Sequence, residues 1–330
     1  MIAAVRSKYG PPEVLTLSKL ETPTPEDQEL LIKIYATTVN RTDCAILWGK
    51  PFIMRFFTGL FKPRYAVTGT DFAGQVVKVG KSVKSFNSGE RVMGFNPIGC
   101  ESHAEYLVLP ESRANKDTVI IPETQSYEEA AACLEGAFYA VDLINRLKPG
   151  AQQSALVNGA TGAIGSSMVQ ILKSYGTYVA AVCGGEHMEL VRSLGADRVI
   201  DYTAMDFTKD HLKYDYIFDA VGKSTFGKCK SLLKDRGIYT SSEGFQNLLL
   251  ALITPLFMGK KVIFLPPKDL KAGLNSIKSL IEKGLFRPVI DKKYSLEKIA
   301  EAYRYVSAGQ KIGNVIIAME AQPTVDSITT

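Results

Sequence analysis

The stretch from Ser154 to Gly165 constrains the fold of this chain more than any other. A short apolar run ends at Val157, a glycine-rich turn follows, and apolar residues then recur at helical spacing. This order predicts a buried strand, a tight turn and a helix whose first backbone amides can bind a phosphate. In such a turn Gly162 lets the backbone approach a pyrophosphate, and Gly165 lets the helix pack closely on the sheet. Ala160 replaces the first glycine of the strict G-x-G-x-x-G pattern, so the turn by itself is weak evidence for a nucleotide.

The region after this turn repeats the alternation of strand and helix. Apolar residues continue at helical spacing, and short apolar runs bounded by polar or glycine-containing segments then recur along the chain. The further strand candidates are Tyr178–Val182, Arg198–Ile200, Tyr214–Gly222, Gly237–Thr240 and Lys261–Leu265. We therefore expect residues 126–268 to form a doubly wound parallel sheet that binds a dinucleotide.

Residues 1–125 show a different pattern. Short alternating runs such as Leu30–Ile34 are separated by glycine, proline and asparagine turns, which is typical of a compact, mostly antiparallel β domain. Residues 269–330 contain the helix-like segment Leu296–Val306 and the strand-like segment Asn314–Ile317, and we expect them to complete that domain. The predicted fold class is therefore α/β, with a mostly-β domain for the substrate beside the parallel-sheet domain.

Composition and charge argue against several other classes. The net charge of +5 is spread along the chain without a dense basic block, so nucleic-acid binding is not expected. No uncharged apolar run reaches the roughly 20 residues that span a bilayer, and the N-terminus lacks the apolar core of a signal peptide. The five cysteines are widely separated and form no C-x-x-C pair. These features predict a cytoplasmic protein with reduced thiols and no membrane partner.

Several motifs, in order along the chain, resemble those of the medium-chain dehydrogenase/reductase superfamily. They are Gly69–Gly74 with Val79-Gly80, Gly89–Val92, Asn158–Gly165, Leu194–Asp197 and Val199–Tyr202. The nearest branch is similar to zinc-free quinone oxidoreductases and alkenal or enone reductases. The resemblance implies a GroES-like catalytic domain, a Rossmann domain, and hydride transfer from NAD(P)H to a small hydrophobic quinone or α,β-unsaturated carbonyl. Two alternatives stay open, an enoyl-thioester reductase and a catalytically idle, crystallin-like nucleotide-binding protein, since a fold does not guarantee turnover.

The same resemblance allows the metal to be judged at single positions. A catalytic zinc takes thiolate, imidazole or carboxylate ligands, and zinc-dependent relatives carry a cysteine and a histidine at positions that match Asn40 and Thr70. The structural zinc loop of those relatives needs four close cysteines, whereas the matching region here offers only Cys100. We therefore expect no zinc. Without a Lewis acid to stabilise an alkoxide, alcohol oxidation is disfavoured and reduction is favoured.

Reduction of an enone produces an enolate, which needs a hydrogen-bond donor. Asn40 is the first candidate, because Asn40 and Asp43 resemble the Val-Asn-x-x-Asp segment that lines the substrate cleft in this branch. The alternative is that both residues only cap a helix. Thr70 is a weaker candidate, and so is Tyr139, which matches a threonine beside the nicotinamide in relatives and has core packing as its alternative. No side chain is predicted as the proton donor, which leaves solvent as the source.

The end of the second strand of the parallel sheet bears on the choice of cofactor. An acid there would bind the ribose hydroxyl of NAD, but Cys183 takes that position. His187 falls where NADPH-dependent relatives often have lysine, and Tyr202 matches a position used against the adenosine phosphate. These points favour NADPH, although Glu186 leaves NADH open. The full set of predicted cofactor contacts is Ala160, Thr161, Gly162, Ala163, Ile164, Gly165, Cys183, Gly184, His187, Tyr202, Val221, Phe264, Leu265 and Asn314.

Two departures from the usual pattern could affect the substrate. The segment Trp48–Phe61 is rich in aromatic residues between glycine and proline, and it forms either an apolar lid over the substrate or a helix packed on the domain core. Glu135 replaces an apolar residue of the relatives, and it either narrows the substrate range or faces solvent.

The last part of the predicted Rossmann domain is unusually apolar. The segments Leu248–Ile253 and Val262–Leu265 offer more apolar surface than one sheet edge normally leaves uncovered. We therefore expect a homodimer through the sixth strand, which would pair its backbone groups across a two-fold axis.

Overall fold

The computed structural model describes residues 1–242, 245–256, 259–264 and 267–319, with only the backbone of residues 245 and 246. The chain divides into two compact units. The first comprises Met1–Glu135, Leu270–Lys278 and Ile290–Thr330, and the second comprises Gly136–Asp269 and Ser279–Val289. The predicted domain boundaries, at 125/126 and 268/269, stay a prediction.

The elements are numbered in chain order. The strands are β1 (Ile2–Val5), β2 (Thr16–Lys19), β3 (Glu29–Val39), β4 (Asp71–Val79), β5 (Arg91–Phe95), β6 (Tyr106–Pro110), β7 (Thr118–Ile120), β8 (Ser154–Asn158), β9 (Tyr178–Cys183), β10 (Arg198–Asp201), β11 (Tyr214–Asp219), β12 (Leu233–Ser241), β13 (Lys261–Val262), β14 (Ile290–Ser295) and β15 (Asn314–Ala318). The helices are α1 (Arg41–Trp48), α2 (Met54–Thr58), α3 (Glu111–Asp117), α4 (Tyr127–Ala132), α5 (Glu135–Leu147), α6 (Ala163–Ser174), α7 (Met188–Ser193), α8 (Phe226–Cys229), α9 (Phe245–Ile253), α10 (Leu270–Glu282) and α11 (Ile299–Ser307).

The first unit is built on a mostly antiparallel sheet. Its described strands pair in the order β14-β15-β3-β4-β5-β7, β6 also pairs with β3, and β1 and β2 form a separate ribbon. The long strand β3 is buried along most of its length because it pairs with β4, β6 and β15. Leu30, Ile32 and Ile34 of β3 form a core with Phe72 and Val76 of β4. The predicted antiparallel β domain is thus confirmed, with the parallel pair β14-β15 as the exception.

The second unit contains the predicted doubly wound sheet. Its described strands are parallel and run in the order β10-β9-β8-β11-β12-β13. Strands β9 and β10 lie on one side of β8, and β11 to β13 lie on the other, so the strand order reverses at β8. In such sheets, ligands bind at the carboxyl end of the strands at this point. Leu156, Val182, Ile217 and Tyr239 lie in one buried core.

Some predicted elements differ in detail from the structure. The apolar segment Leu248–Ile253 belongs to helix α9, and the last strand of the second unit is only two residues long in the described chain. The segment Leu296–Val306 begins with a short 3-10 turn before α11. All five cysteines are free and buried. None of the helices in the described ranges has the length and apolarity needed to cross a bilayer.

Candidate active site and nucleotide site

The turn after β8 is shaped by glycine. Gly159 has a positive φ of 81°, and a Cβ atom on it would lie 2.3 Å from Val221 Cγ1. The backbone amides of Gly159 and Ala160 both donate to Val182 O, at 3.1 and 3.0 Å, which ties the turn to β9. Ala160 is the departure from the glycine pattern, but the turn is shaped by Gly159, which directly follows the strand and for which no role was predicted.

Two further glycines play different roles at the start of α6. Gly162 precedes the helix with a φ of −70°, and a Cβ atom there would meet only Gly159 O, at 3.6 Å. A Cβ atom on Gly165 would lie 2.1 Å from the same oxygen. Open space is therefore found at Gly162, whereas at Gly165 the helix lies tightly against the backbone of the turn. Ala160 and Ala163 are buried, whereas Thr161 and Ile164 keep part of their surface.

The end of β9 carries no charge. Cys183 is buried, and burial raises the pKa of its thiol to about 11, so the thiol is neutral near pH 7. Tyr202 is 60% exposed, and its hydroxyl lies 3.6 Å from where a Cβ atom on Gly184 would be. His187 Nε2 lies 3.1 Å from Glu186 Oε1. The structure thus brings Cys183, Gly184 and Tyr202 together, while His187 is paired with its neighbour.

The remaining predicted cofactor residues are more scattered. Val221 lies beside Gly159, and Phe264 is partly exposed just after β13. Leu265 lies outside the described residues. Asn314 is buried at the start of β15 in the first unit, whereas the other described cofactor candidates belong to the second unit.

An acid that the sequence analysis did not single out connects two strand ends. Asp219 closes β11, and its Oδ1 accepts from Asn158 Nδ2 at 3.0 Å and from Val221 N at 3.3 Å. Its Oδ2 accepts from Ser224 N at 2.9 Å. Asp219 therefore fixes the turn around Val221 next to the end of β8. The sequence signal for it was an acid directly after an apolar strand.

In the first unit, Asn40 lies between β3 and α1. Its Nδ2 donates to Thr38 Oγ at 2.5 Å and to Asp71 Oδ2 at 3.3 Å, so both amide hydrogens have partners within the protein. Its backbone amide donates to Asp43 Oδ2 at 2.8 Å, as in a capping box at the start of α1. The capping alternative is thus found in the structure, and Asn40 also links β3 to β4.

Asp71, at the start of β4, receives most of the donors in this network. Thr38 donates its backbone amide at 2.8 Å and its hydroxyl at 2.5 Å, and the Thr37 hydroxyl lies 3.1 Å away. Complete burial raises the pKa of Asp71 to about 6, and these hydrogen bonds oppose the shift. Asp71 belongs to one of the sequence motifs, but the motif predicts no role for it.

Asp43 and Thr70 face a small internal cavity. Asp43 Oδ1, Thr70 Oγ and Arg6 Nε are buried and make no hydrogen bond of normal geometry within the protein. All three residues line a cavity of about 10 Å³, which is close to the space that one water molecule needs. Burial, with repulsion from Glu135 and Asp71, raises the pKa of Asp43 well above its usual range. This cavity is too small for a substrate.

Glu135 does not face solvent, so that alternative is wrong. It is 7% exposed at the start of α5, its Oε1 lies 2.5 Å from Thr42 Oγ, and its buried Oε2 has no hydrogen-bond partner. Burial raises the pKa of Glu135 to about 7. Tyr139, one turn further along α5, is half-buried with its ring 5.7 Å from the ring of Phe138.

The aromatic segment Trp48–Phe61 is not packed on a core. Phe52 and Phe56 are exposed, and Phe61 is 91% exposed. Tyr9 holds the segment at one point, since its hydroxyl lies 2.9 Å from Thr58 Oγ and donates to Gly59 O at 2.6 Å. The alternative of a core helix is therefore wrong, and the apolar surface of this segment is available to a ligand.

The described residues contain no cluster of three or more histidine, cysteine, aspartate or glutamate side chains arranged to hold a metal. Asn40 and Thr70, at the two positions discussed for zinc, offer an amide and a hydroxyl instead of imidazole or thiolate. Cys100 is buried, and burial raises the pKa of its thiol. His103 has Thr68 Oγ and Thr38 O within 2.9 Å of its two ring nitrogens, and burial lowers its pKa to about 4.

Comparisons with known proteins agree with this architecture. A model of the alcohol dehydrogenase GroES-like domain matches residues 26–122, and a model of zinc-binding dehydrogenases matches residues 194–317. An NADPH-dependent alkenal/one oxidoreductase of Arabidopsis thaliana is 32% identical over 96% of this chain and 79% of its own length. A 2-methylene-furan-3-one reductase of Solanum lycopersicum is 31% identical over 94% of this chain and 76% of its own.

A solved structure matches the fold over nearly the whole chain. The quinone oxidoreductase of Coxiella burnetii superposes with a TM-score of 0.85, covers 98% of this chain and 99% of its own, and is 22% identical. At this identity the likeness concerns the fold alone. Together with the two plant relatives, the sequence motifs and the strand order, it shows that the chain belongs to the medium-chain dehydrogenase/reductase superfamily, in the group of quinone oxidoreductases and alkenal/one reductases.

Proposed function

We propose that this protein is an NADPH-dependent oxidoreductase that reduces quinones or α,β-unsaturated carbonyls. The observation that carries the proposal is the turn after β8, where Gly159 bends the chain, Gly162 leaves open space and Gly165 packs α6 tightly. Relatives with at least 30% identity are named for NADPH-dependent reduction of alkenals or for reduction of an activated furanone. A quinone or enone would be the small apolar partner of this enzyme, with no nucleic acid and no membrane involved.

The residues around the turn fit a pyridine dinucleotide. An α-helix of this length presents free amides at its N-terminus, and the open side of Gly162 lets a pyrophosphate come close to them. NADPH is favoured over NADH because the neutral thiol of Cys183 does not repel a 2′-phosphate, and Tyr202 is exposed beside Gly184. His187, four residues after Cys183, is a basic side chain, although its pairing with Glu186 weakens it as a phosphate ligand.

We infer that the reaction does not use zinc. Both amide hydrogens of Asn40 are engaged, and the Thr70 hydroxyl lies against the small cavity beside Asp43, so neither position supplies the soft or charged ligand that zinc requires. When bound, NADPH supplies the hydride. The protein residues bind and orient the substrate and stabilise the negative charge that develops on its oxygen.

Our candidates for the residues around the substrate are still Asn40, Asp43, Thr70 and Tyr139. The roles that we propose for Asn40 and Asp43 are now structural. Asn40 positions the end of β3 against β4, because its hydrogens are used there. Asp43 fixes the start of α1 by accepting the Asn40 amide. The exposed aromatic surface at Phe52, Phe56 and Phe61 supports the lid interpretation and favours hydrophobic substrates.

We also propose a homodimer and a cytoplasmic location. Helix α9 and the residues after it expose a cluster of large apolar side chains next to the edge strand β13, among them Leu249, Leu252 and Leu256. An exposed apolar patch beside an uncovered strand edge supports association of two copies. The free cysteines support a reducing compartment.

A single panel of substrates tests the proposed reaction. The protein is mixed with NADPH and, separately, phenanthrenequinone, a medium-chain enone and a crotonyl thioester, and the absorbance of the reduced cofactor is followed. Oxidation of NADPH with the quinone or the enone is expected. Activity with the thioester alone would point to an enoyl-thioester reductase, and tight binding of NADPH without oxidation would point to an idle nucleotide-binding protein. Elemental analysis of the active protein is expected to find less than stoichiometric zinc.

A further inference from the structure

Glu135 and Thr42 form a polar pair that the proposed reaction has not used so far. Glu135 Oε1 lies 2.5 Å from Thr42 Oγ, and Glu135 Oε2 is buried without a partner. The ammonium group of Lys311 influences this carboxyl but donates to Gly313 O at 2.5 Å and forms no ion pair with Glu135. A buried carboxylate whose second oxygen has no hydrogen-bond partner is costly, and Lys311 offsets this cost only through its charge, so the structure favours the neutral acid.

The surrounding charges mostly favour the same state. Asp43 of α1 and Asp71 of β4 are buried carboxyls that disfavour a negative charge on Glu135. Lys311, before β15, opposes them, and both burial and the positive charge of Arg41 lower the pKa of Lys311. Burial is the largest cause, and it raises the pKa of Glu135 from 4.5 to about 7. A substantial fraction of Glu135 therefore keeps its proton at neutral pH.

Protonation of Glu135 changes what Thr42 can do. In the structure the Thr42 hydroxyl donates to Glu135 Oε1. A neutral carboxyl group has one hydrogen of its own to donate, and Thr42 Oγ lies within hydrogen-bond distance of it. Once the carboxyl O–H donates to Thr42 Oγ, the hydroxyl hydrogen of Thr42 is free for another acceptor. Thr42 is half-buried, whereas Asn40 and Thr70 are buried and the hydrogens of the Asn40 amide are used. In this group of residues, Thr42 is thus the donor best placed to reach a substrate.

We propose that Thr42 and Glu135 form a proton relay to the substrate oxygen. The relay rests on the proposed function. Hydride addition to the substrate carbon shifts an electron pair onto the carbonyl oxygen, and that oxyanion takes the hydroxyl hydrogen of Thr42. Thr42 takes the carboxyl hydrogen of Glu135, and Glu135 becomes a carboxylate that solvent protons restore after release of the enol or hydroquinone. Thr42 is the catalytic residue that touches the substrate, and Glu135 is the proton source behind it.

Kinetics of four variants test the relay. In the wild type, kcat is expected to fall as the pH rises through about 7, because Glu135 then loses its proton. Glu135→Gln should lower kcat by about 100-fold at the low end of the pH range and remove this pH dependence, with KM and the NADPH dissociation constant nearly unchanged. Thr42→Val should give a similar loss, and Thr42→Ser should restore activity because it keeps the hydroxyl. Glu123→Gln, an exposed change, serves as the control.

The double variant and a titration complete the test. If both residues act in one relay, Glu135→Gln with Thr42→Val is no slower than either single variant. The relay would be overturned if the loss of kcat in the double variant equalled the product of the two single losses. An unchanged pH profile in Glu135→Gln would also overturn it. NMR of the isotopically labelled Glu135 carboxyl in the cofactor-free protein gives a readout that does not need activity. Titration near pH 7 is expected, and titration near the ordinary value of 4.5 would overturn the relay.

These readouts separate the two proposals. If neither a quinone nor an enone supports oxidation of NADPH by the wild type, the proposed function fails, and the relay fails with it. If the wild type is active but Glu135→Gln keeps its rate and pH profile, only the relay fails. Should Glu135→Gln unfold, Thr42→Val with its Thr42→Ser counterpart and the titration of the wild type still decide the question.

Discussion

Replacement of Gly165 by alanine tests the packing of the nucleotide turn most directly. The added Cβ atom would lie 2.1 Å from Gly159 O, 2.8 Å from Gly159 C and 3.0 Å from Ala160 Cα, all of them backbone atoms. Cβ atoms in proteins essentially never come within 3.0 Å of a heavy atom outside their own residue and its chain neighbours, so α6 or the turn must move by about 1 Å. Overpacking of this kind costs about 1–3 kcal/mol, and the higher helix propensity of alanine offsets about 1 kcal/mol of it. Because the three nearest atoms belong to the backbone and cannot rotate away, the overpacking cost lies at the upper end of that range, about 2–3 kcal/mol, and we expect a net loss of about 1–2 kcal/mol.

The same shift should weaken the binding of NADPH. A hydrogen bond to a charged group contributes about 1.5–3 kcal/mol, so displacing one amide from the pyrophosphate should raise the dissociation constant at least about tenfold. Gly162→Ala gives the matched comparison, because its Cβ atom would meet only Gly159 O at 3.6 Å and its φ of −70° suits alanine. The loss of a good N-cap residue and the reduced freedom of the unfolded chain nearly cancel, so stability should stay close to the wild type. The methyl group would still stand where the phosphate approaches, and binding should fall.

Urea unfolding and a fluorescence titration with NADPH measure both effects. For Gly165→Ala we expect the urea midpoint to fall by about 0.5–1 M together with the loss of affinity. Gly227→Ala is the control within the second unit, since the nearest atom to its Cβ would be 3.9 Å away and the residue is exposed. A wild-type midpoint for Gly165→Ala would refute the packing argument. A wild-type dissociation constant for Gly162→Ala would refute the placement of the pyrophosphate at this turn.

Three further predictions concern the surface. His187→Lys should tighten NADPH binding by up to about fivefold at low salt and leave NADH unchanged, because an exposed ion pair contributes at most about 1 kcal/mol; equal effects on both cofactors would contradict the assignment of the 2′-phosphate. Leu252→Glu, at a side chain that is 68% exposed, should turn a dimer into a monomer in size-exclusion light scattering, whereas Leu285→Glu should not; a monomeric wild type would remove the dimer. Phe61→Ser should raise KM for a long-chain enone about five- to tenfold without changing the urea midpoint, and an unchanged KM would argue against a lid.

The nucleotide-binding unit could be predicted well because its signals are local. A strand and a helix leave periodic apolar patterns in a few consecutive residues, and the glycine turn lies between them. The close approach at Gly165 follows from the same short stretch. No role was predicted for Gly159, because the motif specifies the spacing between glycines. The turn instead requires a residue with a positive φ directly after the strand, and Gly159 supplies it.

The network in the first unit could not be predicted to the same depth. The sequence shows that Asn40 has an amide, but only the fold places Thr38 and Asp71 where they take both of its hydrogens. Asp71 lies on a different strand, so its partnership with Thr38 depends on the pairing of β3 with β4. Hydrogen-bond donors can be listed from a sequence, but their use depends on contacts between distant segments. That is why Asn40 changes from a candidate donor to a positioning residue.

Three neighbouring buried acids of the first unit, Asp43, Asp71 and Glu135, show how such contacts create a property that no single residue has. Asp71 receives the donors from Thr37 and Thr38, and these favour its charged form despite its burial. Asp43 and Glu135 each have one buried carboxyl oxygen without a hydrogen bond of normal geometry. Burial raises the pKa of both carboxyl groups, and repulsion from Glu135 raises the pKa of Asp43 further. Because three neighbouring carboxylates cannot all ionise at low cost in a buried site, the network holds at least one proton near pH 7. The donors to Asp71 direct that proton toward Asp43 or Glu135. Thr70, the hydroxyl beside Asp43, is buried against the small cavity, whereas Thr42, the hydroxyl beside Glu135, is half-buried, so in the proposed relay the proton leaves from Glu135.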